Sequence, residues 1–135
     1  GFYDVVLADV PCLGLGVMGH KRDIRYRVKK EDLQTLLPLQ REILQAAAKR
    51  VRPGGILLYS TCSMTREENE NMAGWLETAL GLQPETMEKV LPEEFLKSLE
   101  RPEDLESIRR GSLQLLPGIH ETDGFFFARL RKAAE

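Results

Sequence analysis

Two short apolar runs, separated by a segment with helical periodicity, constrain the fold of this chain more than any other feature. Residues 3–10 (YDVVLADV) are nearly continuous in apolar and β-branched side chains, which is typical of a strand covered on both faces in a parallel sheet. Residues 56–60 (ILLYS) form a second run of the same kind. Because strands joined through a helix pair in parallel by a right-handed crossover, the sequence predicts an α/β fold.

The segment between these strands predicts one helix. Pro38 suits the first helical turn, where its missing N–H costs no hydrogen bond. We expect the helix to end at residues 52–55 (RPGG), because proline and glycine interrupt helices. The apolar residues of the helix recur at three- and four-residue spacing, at Leu39, Ile43, Leu44, Ala47 and Val51.

Three further helices are predicted after the second strand. Thr65 and Glu68 have the spacing of a capping box, ahead of a helix that Gly81 ends. Prolines open two shorter candidates at residues 92–100 and 102–109.

The end of the chain predicts two more strands. Residues 112–116 and 124–130 are joined by the turn-rich sequence PGIHETDG. We expect them to pair antiparallel at the edge of the sheet.

Charge is unevenly distributed along the chain. The net charge is -2, yet six bases and one acid lie between His20 and Lys30. Lys21, Arg22 and Arg25 of this basic strip are candidate RNA-backbone contacts, although a solvated loop explains the composition equally well. Residues 83–107 carry eight acids and three bases, and we expect them to face solvent away from any RNA.

Length and composition predict a single domain of 135 residues that lies in the reducing cytoplasm. No apolar run approaches the roughly 20 residues that cross a bilayer. The two cysteines make no disulfide framework, and neither has the spacing of zinc ligands. The chain begins with Gly1 close to a strand and without a signal peptide, which indicates a piece of a longer protein.

Both predicted strands of the parallel pair end next to a cysteine. Cys12 follows the first strand and Cys62 the second, so the two thiols should lie side by side at the carboxyl edge of the sheet, with the Asp9 carboxylate between them. An ionised cysteine in a partly exposed loop is a strong nucleophile. Cysteines are also common as small buried apolar residues, and for this pair the two interpretations are about equally balanced.

Several motifs resemble the RsmB/Sun-type small-subunit ribosomal RNA cytosine-5 methyltransferases. They occur in order over nearly the whole chain, apart from the acidic segment at residues 83–107. The similar motifs are DVPCLGLGV, DIRY, LQREIL, GGILLYSTCS with the following EEN, and LPGIHETDGFFFARLRK.

This resemblance implies the C-terminal half of a Rossmann-like methyltransferase domain that uses S-adenosylmethionine. It implies that Cys62 attacks carbon 6 of the target cytosine, that Cys12 assists product release, and that Asp9 lies near both base and cofactor. Pro11 would lie at the cofactor. The bulky Leu13, Leu15 and Arg22 depart from the family pattern and affect the expected substrate preference.

The resemblance also implies that the main cofactor site, a glycine-rich turn and an acidic residue, precedes Gly1. Residues 14–19 (GLGVMG) lack the spacing of a dinucleotide loop. We therefore expect the chain to bind the cofactor poorly and to be inactive alone. We also expect the strand at residues 3–10 to lose a neighbour on one side, and the chain to self-associate through it.

Three functions remain open at this point. The first is the RNA methyltransferase, with ribosomal or transfer RNA as its substrate. The second is an RNA-binding or assembly module without catalysis, for which the basic strip is sufficient. The third is a thiol redox enzyme, although the cysteine spacing does not resemble CxxC chemistry.

Overall fold

The computed structural model describes residues 1–12 and 30–134, without the side chains of Lys30 and Glu31. The described strands form a five-stranded mixed sheet in the order β1-β2-β5-β3, with β4 also pairing with β5. The described elements are β1 (Tyr3–Asp9), α1 (Lys30–Arg50), β2 (Val51–Thr61), α2 (Glu70–Leu80), β3 (Gln83–Pro84), α3 (Glu93–Ser98), α4 (Pro102–Arg109), β4 (Ser112–Leu115) and β5 (Phe125–Arg131).

The predicted parallel strand pair is confirmed. Strands β1 and β2 pair in parallel, with Ala8 opposite Tyr59 and Asp9 opposite Ser60. Helix α1 connects to β2 and packs against both strands. Its buried stripe contains Gln40, Leu44 and Ala48, spaced four residues apart on one helical face.

The predicted start and end of the first helix are wrong. Helix α1 begins at Lys30, so Pro38 lies inside it and not in its first turn. Pro38 and Gln34 are both on the exposed side, where water can reach the Gln34 carbonyl that loses its helical partner. Val51 is not helical but is the first residue of β2, opposite Tyr3.

Strand β2 is longer than the predicted run at residues 56–60. It begins at Val51, and its pairing with β1 is irregular between Tyr3 and Val5. Gly54 has a φ of 82°, which permits this irregularity. A Cβ on Gly55 would lie 2.8 Å from the Asp4 carbonyl oxygen, so glycine is needed for the close approach of β1.

Among the described residues, strand β1 is covered on one face only, and the prediction of two covered faces is wrong. Ala8 is buried, whereas Tyr3, Val5 and Leu7 are 60%, 55% and 66% exposed. The physical reason is that helix α1 covers one face, and β1 is the outermost strand of the described sheet.

The antiparallel pairing of β4 with β5 is confirmed, but β5 is not at the edge of the sheet. It pairs with β2 on one side and with β3 and β4 on the other. Apolar contacts on both faces of β5 fit this position. Phe126, Ala128 and Leu130 point into the main core, and Phe127 packs on the opposite face against a cluster that includes Leu113.

The acidic segment is only partly exposed, which corrects the expectation that it faces solvent. Its apolar residues build a second core cluster with β4, and Asp104 is buried at 5% exposure. The predicted short helices are confirmed as α3 and α4. Gly81 ends α2 with a φ of 69°, as predicted.

Candidate active site

The two cysteines meet at the carboxyl ends of β1 and β2. The Sγ atoms of Cys12 and Cys62 are 3.1 Å apart, within hydrogen-bonding distance for thiols. Both side chains are partly exposed, so a small molecule or a base can reach them. The predicted proximity of the two thiols is confirmed, and a thiolate at either sulfur can accept the S–H of the other.

Asp9 is the last residue of β1, three positions before Cys12. Its side chain is exposed, and its Oδ1 accepts a hydrogen bond from Ser60 Oγ at 2.8 Å. Ser60 is its direct partner in the sheet register. The carboxylate is therefore held by Ser60 while it stays exposed. Its predicted place between the two thiols and its role toward base and cofactor stay predictions.

Pro11 contributes its backbone to the site. Its carbonyl oxygen accepts a hydrogen bond from Gln40 Nε2 at 2.7 Å. The observed contact of Pro11 is thus structural, and its predicted place at a cofactor stays a prediction.

Side chains from outside the strand hold the turn that carries Cys62. Asn69 Nδ2 donates to the Ser63 carbonyl at 2.9 Å, and Asn69 Oδ1 accepts from Thr61 Oγ1 at 2.6 Å. Asn69 also donates to Gln114 Oε1 at 2.6 Å, which ties the turn to β4. The residues on both sides of the nucleophile candidate are therefore fixed by hydrogen bonds.

The predicted capping box at Thr65 and Glu68 forms only by half. The Glu68 N–H donates to Thr65 Oγ1 at 3.3 Å, but the Thr65 N–H donates to Ser63 Oγ at 3.2 Å. The Glu68 carboxylate is buried and accepts from Gln40 at 2.9 Å. The Glu68 side chain therefore binds Gln40 and does not complete the cap, and α2 begins later, at Glu70.

Tyr59 is a fixed hydrogen-bond donor beneath the site. Its ring is fully buried, and its hydroxyl donates to the Glu68 carbonyl oxygen. Burial raises the pKa of Tyr59 far above its ordinary value, and the charges of Glu68 and Cys12 raise it further. The hydroxyl therefore stays protonated and is not a base in this site.

Sequence reasoning assigned no role to Gln40, Asn69 or Gln114. Gln40 lies in the LQREIL motif and Asn69 in the EEN motif, so the resemblance marked both positions. Gln40 binds Glu68, 28 residues away, and Asn69 binds Gln114, 45 residues away, and no local pattern indicates these two contacts.

A cavity of about 520 Å³ adjoins the turn that carries Cys62. Met64 and Thr65 line it next to the turn, and Arg66, Arg101 and Arg110 contribute positive charge. Each of these arginines is paired with a glutamate, at 3.2, 2.7 and 3.8 Å. The cavity is therefore polar but nearly balanced in charge.

The predicted RNA contacts Lys21, Arg22 and Arg25 lie outside the described residues, as do Leu13, Leu15 and residues 14–19. Within residues 1–12 and 30–134, no helix is both long and apolar enough to cross a membrane. In the same part of the chain, no group of three or more His, Cys, Asp or Glu side chains is placed to hold a metal ion.

Known proteins are similar to this chain over almost its whole length. A family model described as 16S rRNA methyltransferase RsmB/F matches residues 1–131. The probable ribosomal RNA small subunit methyltransferase B of Bacillus subtilis (strain 168) is 39% identical over 132 residues, which cover 96% of this chain and 28% of that protein. The ribosomal RNA small subunit methyltransferase F of Citrobacter koseri is 37% identical over 132 residues, which cover 98% and 26%.

A solved structure agrees in fold. The crystal structure of NSun6 from Pyrococcus horikoshii with SFG superposes with a TM-score of 0.70 at 29% identity, over 96% of this chain and 29% of that chain. The predicted α/β class and partial Rossmann-like arrangement are confirmed by this likeness. The chain spans about a quarter of the length of the curated relatives it matches.

Proposed function

Because the chain belongs to the 16S rRNA methyltransferase RsmB/F family, we propose that it carries the nucleophile of an RNA cytosine-5 methyltransferase. The proposed substrate is 16S ribosomal RNA, the proposed methyl donor is S-adenosylmethionine, and the proposed location is the cytoplasm. The observation that supports this proposal most directly is the 3.1 Å approach of Cys12 Sγ to Cys62 Sγ in a partly exposed site. A target base must leave its stack to reach such a site.

The described residues fit S-adenosylmethionine only in part. The exposed Asp9 carboxylate can accept a hydrogen bond from a ligand, whereas the Pro11 carbonyl is already used by Gln40. SFG, which is present in the NSun6 structure, is an analogue of S-adenosylmethionine and supports the assignment of the cofactor. When bound, S-adenosylmethionine supplies the methyl group.

Cys62 is proposed to act as the nucleophile. Its thiolate forms a bond to carbon 6 of cytosine, and the electrons of the 5,6 double bond move to carbon 5, which becomes able to accept a methyl group. After methyl transfer, a general base takes the proton from carbon 5, with solvent water as the final acceptor. The electrons of that C–H bond restore the 5,6 double bond as the bond between sulfur and carbon 6 breaks and leaves Cys62 as a thiolate. We propose that the Cys12 thiol stabilises the departing thiolate, and its hydrogen bond with Cys62 supports this role.

Asp9 is proposed to orient the base. Its exposed carboxylate can accept a hydrogen bond from the amino edge of the pyrimidine, while Ser60 fixes its direction. A fixed acceptor of this kind holds the base in the orientation that attack requires, without rearranging at that moment.

The test uses the full-length protein that contains this chain. Methyl transfer to 16S ribosomal RNA is measured for the wild type and for Cys62→Ser and Cys12→Ser, with covalent capture by RNA that contains 5-fluorocytosine. We expect Cys62→Ser to lose both transfer and adduct, and Cys12→Ser to form the adduct but release product slowly. Full methyl-transfer activity of the Cys62→Ser protein would contradict the proposed nucleophile. It would favour the alternative in which this chain binds RNA and takes no part in catalysis.

Substrate class is tested in the same assay. We expect transfer to small-subunit ribosomal RNA in preference to transfer RNA at equal concentration. Preferential methylation of transfer RNA would contradict the proposed ribosomal substrate. It would not contradict the proposed attack by Cys62.

A further inference from the structure

A buried hydrogen-bonded bridge connects the two loops that carry the cysteines. Gln40 of α1 is 0% exposed, and its Nε2 donates to the Pro11 carbonyl at 2.7 Å and to Glu68 Oε2 at 2.9 Å. A primary amide nitrogen has two hydrogens, so both donors of Gln40 are used. The reverse orientation of the amide would place its oxygen against two acceptors, so these partners determine how the side chain is turned.

Glu68 continues the bridge to the second loop. It is also 0% exposed, and its Oε1 accepts hydrogen bonds from Ser63 Oγ and, at 2.8 Å, from Thr65 Oγ1. A buried carboxylate is costly unless hydrogen-bond donors surround it, and here three side chains supply them. The position of Glu68 is fixed further by Tyr59, whose hydroxyl donates to the Glu68 carbonyl.

The bridge ends next to each sulfur. Pro11 directly precedes Cys12 and Ser63 directly follows Cys62 in the sequence. The two loops are thus connected in two ways: through the hydrogen bonds of Gln40 and Glu68, and through the 3.1 Å contact of the sulfurs. A displacement of either bridge residue would change the separation of the thiols.

We propose that Gln40 and Glu68 are positioning residues that set the distance between Cys12 and Cys62. This inference rests on the proposed function, and it adds the residues that balance attack by Cys62 against release assisted by Cys12. Gln40 acts through Pro11, which precedes Cys12, and Glu68 acts through Ser63, which follows Cys62.

The main test variant is Gln40→Met in the full-length protein. Methionine keeps the length of the side chain and its packing but removes both donors, so the Pro11 carbonyl and the Glu68 carboxylate lose a partner. We expect kcat for methyl transfer to fall about 10- to 100-fold, because small misplacements of reacting groups have effects of this size. The KM for RNA should change less than about 2-fold, and the share of enzyme trapped as covalent RNA adduct should rise.

The matched control is Gln45→Met, on the exposed side of the same helix. A second variant, Glu68→Gln, keeps the shape of the side chain and an acceptor oxygen for the hydroxyls of Ser63 and Thr65. We expect it to retain more activity than Glu68→Ala and less than its exposed control, Glu67→Gln.

A geometric measurement does not depend on activity. Diamide removes one hydrogen from each of two thiols, forms their disulfide and is itself reduced to the hydrazine. The rate at which the peptides of Cys12 and Cys62 become linked, followed by mass spectrometry, reports how often the sulfurs meet. We expect Gln40→Met to link about tenfold more slowly than Gln45→Met.

The outcomes separate the two proposals. If wild-type transfer does not depend on Cys62, the proposed function fails, and the linking rates still test the bridge. If transfer depends on Cys62 but Gln40→Met and Glu68→Gln match their controls in kcat, adduct and linking rate, the bridge proposal is wrong. The bridge proposal is also wrong if kcat falls only in proportion to the fraction of folded protein, measured by thermal unfolding. If Gln40→Met does not fold, Glu68→Gln provides the test of the bridge.

Discussion

The Sγ atoms of Cys12 and Cys62 are 3.1 Å apart, although the two residues are 50 positions apart in the sequence. This contact follows from the parallel pairing of β1 with β2, which brings the carboxyl ends of both strands to one edge. The sulfurs are therefore close enough to react with each other as well as with a substrate.

Mild oxidation should join the two cysteines. Hydrogen peroxide converts one thiolate to a sulfenic acid, and the other thiol displaces water to form the disulfide. The sulfurs need to approach by only about 1 Å to reach bonding distance. Mass spectrometry of the oxidised chain should show a peptide that contains Cys12 linked to Cys62.

Cys12→Ser provides the control for this reaction, because it leaves Cys62 without a nearby thiol. Disulfides between chains alone, or full alkylation of both thiols after oxidation, would contradict the geometry described for Cys12 and Cys62.

The cysteine pair could be predicted from the sequence, whereas the bridge behind it could not. Strand ends can be read from local composition, and the parallel crossover places Cys12 beside Cys62. Glu68, by contrast, has the local spacing of a capping residue, and Gln40, which donates to its carboxylate, is 28 positions away. A local pattern cannot distinguish a glutamate that caps a helix from one that accepts a hydrogen bond from a distant amide.

The errors in the fold have a similar origin. Apolar composition showed that β1 has two apolar faces, but not which elements cover them, and Tyr3, Val5 and Leu7 remain exposed. The start of α1 was misplaced because Pro38 is unfavourable inside helices in general but tolerable on an exposed side.

Asp9→Asn should lower methyl transfer without unfolding the protein. Asparagine keeps the oxygen that accepts from Ser60 but loses the charge that we propose acts on the base. We expect kcat to fall about 100-fold, which is the size of effect seen when one fixed electrostatic group is removed. The assay is methyl transfer by the full-length protein.

The comparison variant for Asp9 is Ser60→Ala, which removes only the orienting hydrogen bond. It should lower kcat less than Asp9→Asn does. Equal effects of the two variants would show that the hydrogen bond, and not the charge, matters.

Glu85 should contribute stability that depends on pH. Its carboxylate accepts two hydrogen bonds from Arg131, at 2.7 and 2.6 Å, and lies 3.1 Å from Arg129. The hydrogen bonds from Arg131 and the charges of both arginines hold the pKa of Glu85 below its ordinary value of 4.5, against the opposing effect of burial. Because the folded pKa is the lower one, the stabilisation is complete above the unfolded pKa and is lost as the pH falls through the folded pKa.

Urea unfolding of the wild type and Glu85→Gln measures this contribution. The midpoint of the wild type should be higher at pH 7, and the difference should shrink as the pH is lowered below 4.5. Glu42→Gln, on the exposed side of α1, is the matched control substitution. A difference that grows on acidification would reverse the assigned sign.

The 135-residue chain should bind S-adenosylmethionine poorly. Its glycine-rich residues 14–19 lack the spacing of a nucleotide-binding loop, and the chain covers about a quarter of its curated relatives. Calorimetric titration of this chain should show no binding at micromolar ligand, whereas the full-length protein should bind. Micromolar binding by the chain itself would mean that its residues build a sufficient site.

The 135-residue chain should self-associate through β1. This strand is the outermost one described in the sheet, and its exposed apolar residues Tyr3, Val5 and Leu7 alternate along one face. An edge of this kind can pair with the same edge of a second chain, and a lysine on such an edge opposes pairing because its charge would have to lose water. Leu7→Lys should therefore shift the chain toward monomer in sedimentation velocity, whereas Leu39→Lys, on the partly exposed surface of α1, should not. A wild-type chain that stays monomeric as its concentration is raised would contradict this prediction, as would equal dissociation by both variants.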